Sequence, residues 1–375
     1  MIKIKLHLYL QSKIRMKKLF FLTNTVDLAN PSDGLAKKIN AQVKAFEHYG
    51  YITELAGCSS AQYIISDQKL FLKEEGVFKK TKEILKNIEK YLSTQSEYEI
   101  LYIRKFYFTP YFLLFLKKIR PKFKYIILEL PTYPYYGELL TVRAKIGYWI
   151  ENILVTRYLK KYIDRIVTFS NDKEIYGINC IKISNGIDDS EQIYFKEPSR
   201  SVINFISVSS ISFWHGIDRF ILALKNYNGT DVHFHIVGGN NEISLSLQNM
   251  VNEYGLEDKV TFYGHKSGDE LKAIYAISHI GVGSLGRHRS NIYYLNSLKN
   301  REYIAKGLPI IYSEIDDDLE ESAFVYKVSA NEDVIDINKI ICWFKRSDFN
   351  RQNTVKFSDR FLWKGQIGIL LSKLK

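Results

Sequence analysis

The sequence predicts an α/β protein built from two doubly wound, Rossmann-like domains facing a cleft. Three observations lead there. The chain has 375 residues, more than one hydrophobic core usually organises. Short strand-like apolar runs alternate with longer helical ones, the pattern of parallel sheets covered on both faces. And the pattern restarts after a polar stretch, Asp188–Arg200, which reads as a linker.

In the first half, Leu19–Leu22 reads as a buried strand, followed by a loop with Asp33-Gly34 and a helix from about Leu35 to Tyr49 that stops at Gly50. Ile100–Ile103 and Tyr125–Leu128 are further strands, separated by a helix over Pro110–Ile119. A long amphipathic helix is expected over Leu139–Tyr162, then a strand at Arg165–Phe169. The second half repeats the theme: strands Val202–Val208, Val232–Val237, Lys259–Phe262, Ile280–Val282 and Pro309–Tyr312, with helices Ile243–Tyr254, Asp269–Ile277 and Lys299–Lys306. A final helix over Phe357–Leu374 could pack back on the first domain. The expected division is an extension at 1–16 with no assigned role, a first domain at 17–195, a second at 196–354, and a returning helix at 355–375.

Composition narrows the class. Apolar residues make up 46% of the chain, enough for large cores and unlike disordered or collagenous sequences. Cys58, Cys180 and Cys342 are too far apart for a metal-type pairing and fit a reducing cytoplasm. Ile2–Leu10 alternates like a strand but carries too many lysines for a signal peptide or a spanning helix. The net charge of +12 lies wholly in residues 1–200, with 33 Lys and Arg against 21 Asp and Glu; residues 201–375 carry 20 of each. A basic half can meet an anionic membrane surface, a phosphorylated acceptor or nucleic acid, or be merely a soluble face. No recognition motif supports nucleic acid.

Arg104–Lys124 holds seven cations and no acid, interleaved with Phe112, Phe115 and Leu116. Such a helix can dock on anionic lipid, or can turn its apolar side to the sheet and its lysines to water. Arg143, Lys145, Arg157, Lys160 and Lys161 around Trp149 add to the docking reading.

The segment Ser297–Ile311 says most about chemistry. It sets Lys299, Arg301 and Glu302 at a helix entrance, closed by Gly307 and Pro309. Two cations and a carboxylate beside a helix N-terminus suit a nucleotide diphosphate and its ribose. Gly34 opens another helix after a strand loop, where a phosphate can approach the backbone or a plain turn can stand. Glu129-Leu-Pro-Thr-Tyr-Pro-Tyr-Tyr-Gly-Glu138 follows a strand. Its many Tyr and Pro residues suggest a semi-rigid wall at a strand end, with Glu129 facing the cleft; a packed structural loop is the alternative.

The landmarks also occur in a recognisable order. Asp33-Gly34-Leu-Ala-Lys-Lys-Ile-Asn-Ala-Gln42, Ser184-Asn-Gly-Ile-Asp188, Phe213-Trp-His-Gly216, Phe234-His-Ile-Val-Gly-Gly239, Val260-Thr-Phe-Tyr-Gly264 and Arg301-Glu-Tyr-Ile-Ala-Lys-Gly-Leu-Pro309 follow one another. This set resembles the family-4 retaining glycosyltransferases of the two-domain GT-B fold, of bacterial surface-polysaccharide type, over roughly residues 17–350. The resemblance implies transfer of a sugar from a UDP- or GDP-sugar to a glycan or polyprenyl-linked acceptor, with retention and without a metal or other cofactor. It implies a cytoplasmic protein, peripheral on the inner face of the plasma membrane. Glu302 matches the family's ribose-binding glutamate, with Lys299 and Arg301 on the diphosphate. Gly34, His215, Gly238, Lys266, Arg289 and Tyr294 complete the expected donor site; Tyr133, Tyr136 and Asn185 are expected on the sugar acceptor, with Glu129 orienting its hydroxyl or stabilising charge at the anomeric carbon.

The chain departs from the family pattern at two places. Tyr294 stands eight positions before Glu302, where the family has a second glutamate, and cannot supply a negative charge. His215 stands where the family has a lysine, in a loop that also lacks the usual arginine. Cation duty is therefore expected from Lys299, Arg301 and the cluster Arg287-His288-Arg289. Two other readings stay open: a non-catalytic GT-B partner subunit, and a sugar-nucleotide epimerase or hydrolase on the same fold.

Overall fold

The computed structural model describes residues 17–374 except 31, 32, 60, 61, 71, 75, 105, 107, 140, 321, 347 and 348; the expected extension at 1–16 lies outside the described residues. The chain forms two compact units. The first comprises the described parts of Met1–Tyr133, Thr141–Ile183 and Ile367–Lys375; the second comprises those of Pro134–Leu140 and Ser184–Gln366. The division therefore falls at 183/184, not at 195/196, and the return to the first unit comes at Ile367, not at 355. The reason is local. Ile187 donates to Phe361 O at 3.0 Å and accepts from Trp363 N at 3.0 Å, while Ile193 donates to Ala305 O at 3.0 Å. The polar stretch after 184 is thus clasped by the second unit.

In the first unit, β1 (Lys17–Asp27), β2 (Tyr51–Ser59), β3 (Gln62–Ile65), β4 (Gln68–Leu70), β5 (Tyr98–Arg104), β6 (Phe123–Leu130), β7 (Arg165–Thr168), β8 (Glu174–Ile175) and β9 (Ile178–Lys182) form one sheet in the order β4-β3-β2-β1-β5-β6-β7-β9-β8. The run β2-β1-β5-β6-β7-β9 is parallel, and β3, β4 and β8 add antiparallel edges. Leu19–Leu22, Ile100–Ile103 and Ile126–Leu128 are completely buried. That continuous burial is what helices on both faces require. The helices are α1 (Gly34–His48), α2 (Val77–Ser93), α3 (Pro110–Ile119) and α4 (Val142–Glu151). Phe112, Phe115 and Leu116 of α3 lie in the core, so its apolar side faces the sheet and is no docking surface. The long helix expected over 139–162 is α4, interrupted by a π-helical turn at Asn152–Thr156 and continuing only to Leu159.

In the second unit, β10 (Ile203–Val208), β11 (Val232–Val237), β12 (Val260–Phe262), β13 (Ile280–Val282), β14 (Ile310–Tyr312) and β15 (Val325–Lys327) form a sheet ordered β12-β11-β10-β13-β14-β15. Every neighbour pair is parallel. Numbered within the unit this is 3-2-1-4-5-6, the nucleotide-binding order whose direction reverses between the first and fourth strands. Helices α5 (Ile217–Lys225), α6 (Glu242–Tyr254), α7 (Gly268–Ile277), α8 (Leu298–Ala305) and α9 (Ile337–Arg346) flank it, followed by α10 (Arg351–Phe357) and α11 (Trp363–Ser372). Phe205 and Ile206, consecutive on β10, enter different cores, one on each side of the sheet. Helices α2, α5, α9 and α10 and strands β2–β4, β8, β9 and β15 were not anticipated from the sequence.

Candidate active site

Ligands of an open parallel sheet bind beyond the carboxyl ends of its strands, where the strand order reverses. In the second unit that place lies after β10 and β13. The loop from Ser209 to Gly216 makes a tight turn whose carbonyls at His215 and Trp214 accept from Leu285 N at 2.9 Å and Gly286 N at 3.3 Å. Gly216 holds φ +64°, and a Cβ there would come within 2.6 Å of Gly286 N, so only glycine lets the two loops meet. Gly238 is tighter still: with φ +104°, its Cβ would stand 1.9 Å from Ser209 O. Helix α8 is keyed to both central strands by Tyr303, whose hydroxyl accepts from Val208 N at 2.8 Å and donates to Val282 O at 3.3 Å. Lys299 is one turn earlier on the same face as Tyr303, which directs it toward the strand ends.

Charge interactions and one hydrogen bond gather the enclosed side chains of His215, Arg287, Lys299, Asn300 and Glu314 into a polar chamber at these strand ends; Ser209 and Ser284 follow β10 and β13 by one and two residues. The Lys299 stem is partly exposed, but its ammonium is enclosed and has no hydrogen-bond partner among the described residues. Burial pushes its pKa down, partly opposed by the charge of Glu314 and reinforced by that of Arg287. Glu314 is pushed the other way by its own burial. Its Oε1 accepts from Asn300 Nδ2 at 3.3 Å, while Oε2 is buried without a partner among the described residues. The Ser209 and Ser284 hydroxyls are unpartnered in the same sense. Arg287 lies over the Trp214 ring at 5.4 Å. His215 is buried and held well below the usual imidazole range, first by burial and then by Lys299 and Arg287. Its Nδ1 accepts from Ser212 N at 3.0 Å, which assigns the proton of the neutral ring to Nε2 and makes that atom a donor. The chamber holds polar groups that protein partners do not satisfy, an expensive state unless a ligand or water completes them.

Several expected site residues do other work. Arg301 is fully buried: its guanidinium pairs with Asp316, reaches Asp318 at 3.1 Å, and contacts Ser184 Oγ and Ser297 O. It is a structural clamp and presents no cation to a diphosphate. Asn185 donates through its backbone to Asn296 Oδ1 at 2.6 Å and through its side chain to Asn296 O at 3.1 Å, and it lies in the second unit, not on the expected acceptor domain. Arg289 is committed to Asp218 at 2.7 Å and Glu332 at 2.8 Å. Lys266 is 2.6 Å from Glu270, one helical turn on. Glu302 is half-buried near Tyr275 and Tyr303. Tyr294 is exposed and pairs through its backbone with Ile315. Sequence reasoning missed Ser209, Ser284 and Glu314; their only signal was position, one or two residues past an apolar strand.

In the first unit, Glu129 is completely buried and saturated. Oε2 accepts from Gln42 Nε2 and the Tyr102 hydroxyl, both at 2.6 Å; Oε1 lies 3.1 Å from Arg104 Nε and 3.2 Å from Lys38 Nζ. Opposing its burial, these cations and donors hold it down at about 2. Glu129 thus ties α1, β5 and β6 together instead of facing an acceptor. At Gly34 a Cβ would meet open space, but the adjacent helix amides at Leu35 and Ala36 already donate to Asp33 at 2.7 and 3.1 Å. Tyr133 packs edge-on against Tyr176 at 5.5 Å in the first unit, whereas Tyr136 is partly exposed and belongs to the second. Among the described residues no three His, Cys, Asp or Glu side chains converge as a metal-ligand set.

Comparison with known proteins agrees with this geometry. Residues 189–315 match the family model described as Glycosyl transferases group 1, a span that contains the whole chamber. No curated protein matches the sequence. Among solved structures, sucrose-phosphate synthase from Thermosynechococcus elongatus is similar with a TM-score of 0.69 at 14% identity, covering 96% of this chain and 99% of that one. Anabaena HepE in complex with UDP has a TM-score of 0.62 at 12% identity, covering 96% and 100%. The lipopolysaccharide outer core galactosyltransferase WaaB, in its apo form, has a TM-score of 0.60 at 15% identity, again covering 96% and 100%. The fold is GT-B, and with the group 1 segment it makes this chain a glycosyltransferase.

Proposed function

We propose that the protein is a retaining, metal-independent glycosyltransferase of the family-4 type. It uses a UDP- or GDP-sugar donor and a glycan or polyprenyl-linked acceptor in surface-polysaccharide synthesis. The observation that carries the reading is the enclosed, unpartnered Lys299 ammonium beside the α8 entrance, within the group 1 segment. A donor diphosphate supplies the missing anion. Its charge favours the ammonium form of Lys299 that burial disfavours, and fixed charge then opposes the charge that develops on the leaving group. The neutral His215 contributes its Nε2–H as a donor. Glu302 accepts from the ribose hydroxyls, and the departing phosphate takes the acceptor proton on the same face. Tyr294 leaves one hydrogen-bonding group, and no carboxylate, for the donor sugar. The UDP of the HepE complex supports a uridine nucleotide as the first donor to try.

Within the proposal the membrane face rests on the helix around Trp149 alone. Val142, Ile146, Trp149, Ile150 and Ile153 of α4 and its π-helical continuation are all exposed large hydrophobics, spaced to share one helical face. Lys145, Arg157, Lys160 and Lys161 accompany them, the composition of a surface-lying amphipathic helix on anionic lipid. No helix among the described residues is long and apolar enough to cross a membrane.

Titration calorimetry with UDP and GDP tests the donor site. UDP or GDP should bind the wild type, and Lys299→Met should weaken that binding at least about tenfold, the worth of one charge-assisted contact. Glu302→Ala should raise the donor KM and cut turnover. Binding of neither nucleotide would favour the partner-subunit reading that Tyr294 and His215 suggest. Consumption of donor without acceptor would favour an epimerase or hydrolase.

A further inference from the structure

The second unit carries another polar concavity, at the amino-terminal edge of its sheet. It has a volume of about 360 Å³ and is lined by Phe195–Glu197, Arg200 and Phe349–Gln352. It sits before β10, beside Ser278 and His279 that precede β13, and so at the end of the strands opposite the Lys299 chamber.

Three features make it a site and not a surface dent. The first is charge: among the described lining residues, Lys196, Arg200 and Arg351 face one acid, Glu197. That carboxylate is shared, with Oε2 2.9 Å from Arg351 Nε and Oε1 3.2 Å from Arg200 Nη2. The second is incomplete pairing. Arg351 is buried and donates from Nη2 to Ser278 O, yet its Nη1 has no partner among the described residues. Beside it, the buried His279 accepts at Nδ1 from Asn204 N at 3.0 Å, which leaves the proton on Nε2, turned toward the Ser199 backbone. The third is apolar wall: Phe195 and Phe349 are partly buried beside the cations. An anion would satisfy the donors, and its organic body would cover the rings. A phosphate monoester carries close to two negative charges near neutrality, matching the surplus of three cations over one carboxylate, and suits the planar fork of arginine. The volume fits a small molecule.

We infer that this concavity binds a small phosphate monoester, at a site separate from the nucleotide-binding edge. The probe is phenyl phosphate, titrated calorimetrically into the full chain, with inorganic phosphate and phenol as comparisons. Phenyl phosphate should bind more tightly than either. Lys196→Ala combined with Arg200→Ala should weaken it about tenfold or more, while Lys299→Met leaves it unchanged. Both residues of the double variant are exposed, so it should fold; Arg351→Lys provides a second variant that keeps the charge and loses the fork. Undetectable binding at millimolar probe would overturn the inference. So would binding indifferent to the double substitution, or abolished by Lys299→Met. Inorganic phosphate binding as tightly as phenyl phosphate would overturn the assignment of an ester.

Discussion

Replacing Glu129 by Gln separates a structural carboxylate from a catalytic one. The side chain is fully buried between Lys38 and Arg104 and accepts from Gln42 and Tyr102. Its pKa falls from 4.5 to about 2, so it contributes stability that is complete above pH 4.5 and is lost as pH drops toward 2. The size is about 3 kcal/mol. Lys38 moves down as well, from 10.5 to about 8, because burial outweighs the help of Glu129 and Arg104 adds repulsion. Keeping Lys38 charged at pH 7 therefore has a cost of the same order, and the pair nearly cancels, as buried pairs often do. Removing only the carboxylate ends that cancellation. Lys38 and Arg104 are then left together in the core, at a cost of about 3–5 kcal/mol.

For a unit of this size such a loss lowers the melting temperature by roughly 6–20 °C. The assay is differential scanning calorimetry of the full chain, read at the transition of the first unit. Lys38→Met placed on top of Glu129→Gln should restore much of the loss, since it removes one of the two cations left together in the core. A Glu129→Gln protein that melts with the wild type but has lost turnover would refute the reasoning and return Glu129 to the chemistry.

Three further outcomes follow from particular contacts. His235 and His279 are buried and held at about 4, mainly by burial, His235 also by His233 and His279, and His279 also by Arg351 and Arg200 against Glu197. Their stability is complete above the unfolded value of about 6.5 and lost as pH falls toward 4, of order 3 kcal/mol each; urea midpoints at pH 7 and 4.5 should show a smaller drop for His235→Gln than for the wild type, and equal drops would sink the idea. Gly238→Ala forces a Cβ to within 1.9 Å of Ser209 O at φ +104°, which should cost about 4 kcal/mol or more and impair UDP binding; a variant of wild-type melting temperature would contradict the loop geometry. Trp149→Ser with Ile153→Ser should reduce sedimentation with vesicles of phosphatidylglycerol several-fold without changing UDP affinity, whereas unchanged sedimentation removes α4 as the membrane face.

The central strands of both sheets were legible because burial on two faces demands uninterrupted apolar runs, as at Leu19–Leu22 and Ile280–Val282. The edge strand β4, Gln68–Leu70, was not, since an antiparallel edge needs fewer apolar residues and its partner is set by a turn. The α8 segment stood out in the sequence as the candidate site, but the division of labour within it did not. Lys299 and Arg301 are two residues apart and therefore point to different sides of the helix. Arg301 meets Asp316 and Asp318, acids whose approach depends on the path of the chain after β14. Spacing along a sequence cannot reveal that two aspartates fifteen and seventeen positions on will consume a cation. Glu129 misled for the same reason: its partners Lys38, Gln42, Tyr102 and Arg104 come from two elements far upstream.

The two units share a design at the point where strand order reverses, and they differ in one respect that decides function. Each draws a buried lysine from the helix after a strand, an arginine from a strand end or loop, and a carboxylate from a neighbouring strand end. In the first unit Lys38, Arg104 and Glu129 close on one another, and both oxygens of Glu129 find two partners. In the second, Lys299 and Glu314 interact through charge but form no ion pair within 4 Å among the described residues, and each keeps an enclosed polar atom without a partner. A saturated cluster has no free energy to gain from a ligand and behaves as a rivet. An unsaturated one holds its groups toward neutrality until an anion arrives, and binding then recovers the interaction that folding left unmade. The same residue types therefore make a rivet in one sheet and, under the proposed function, a receptor in the other.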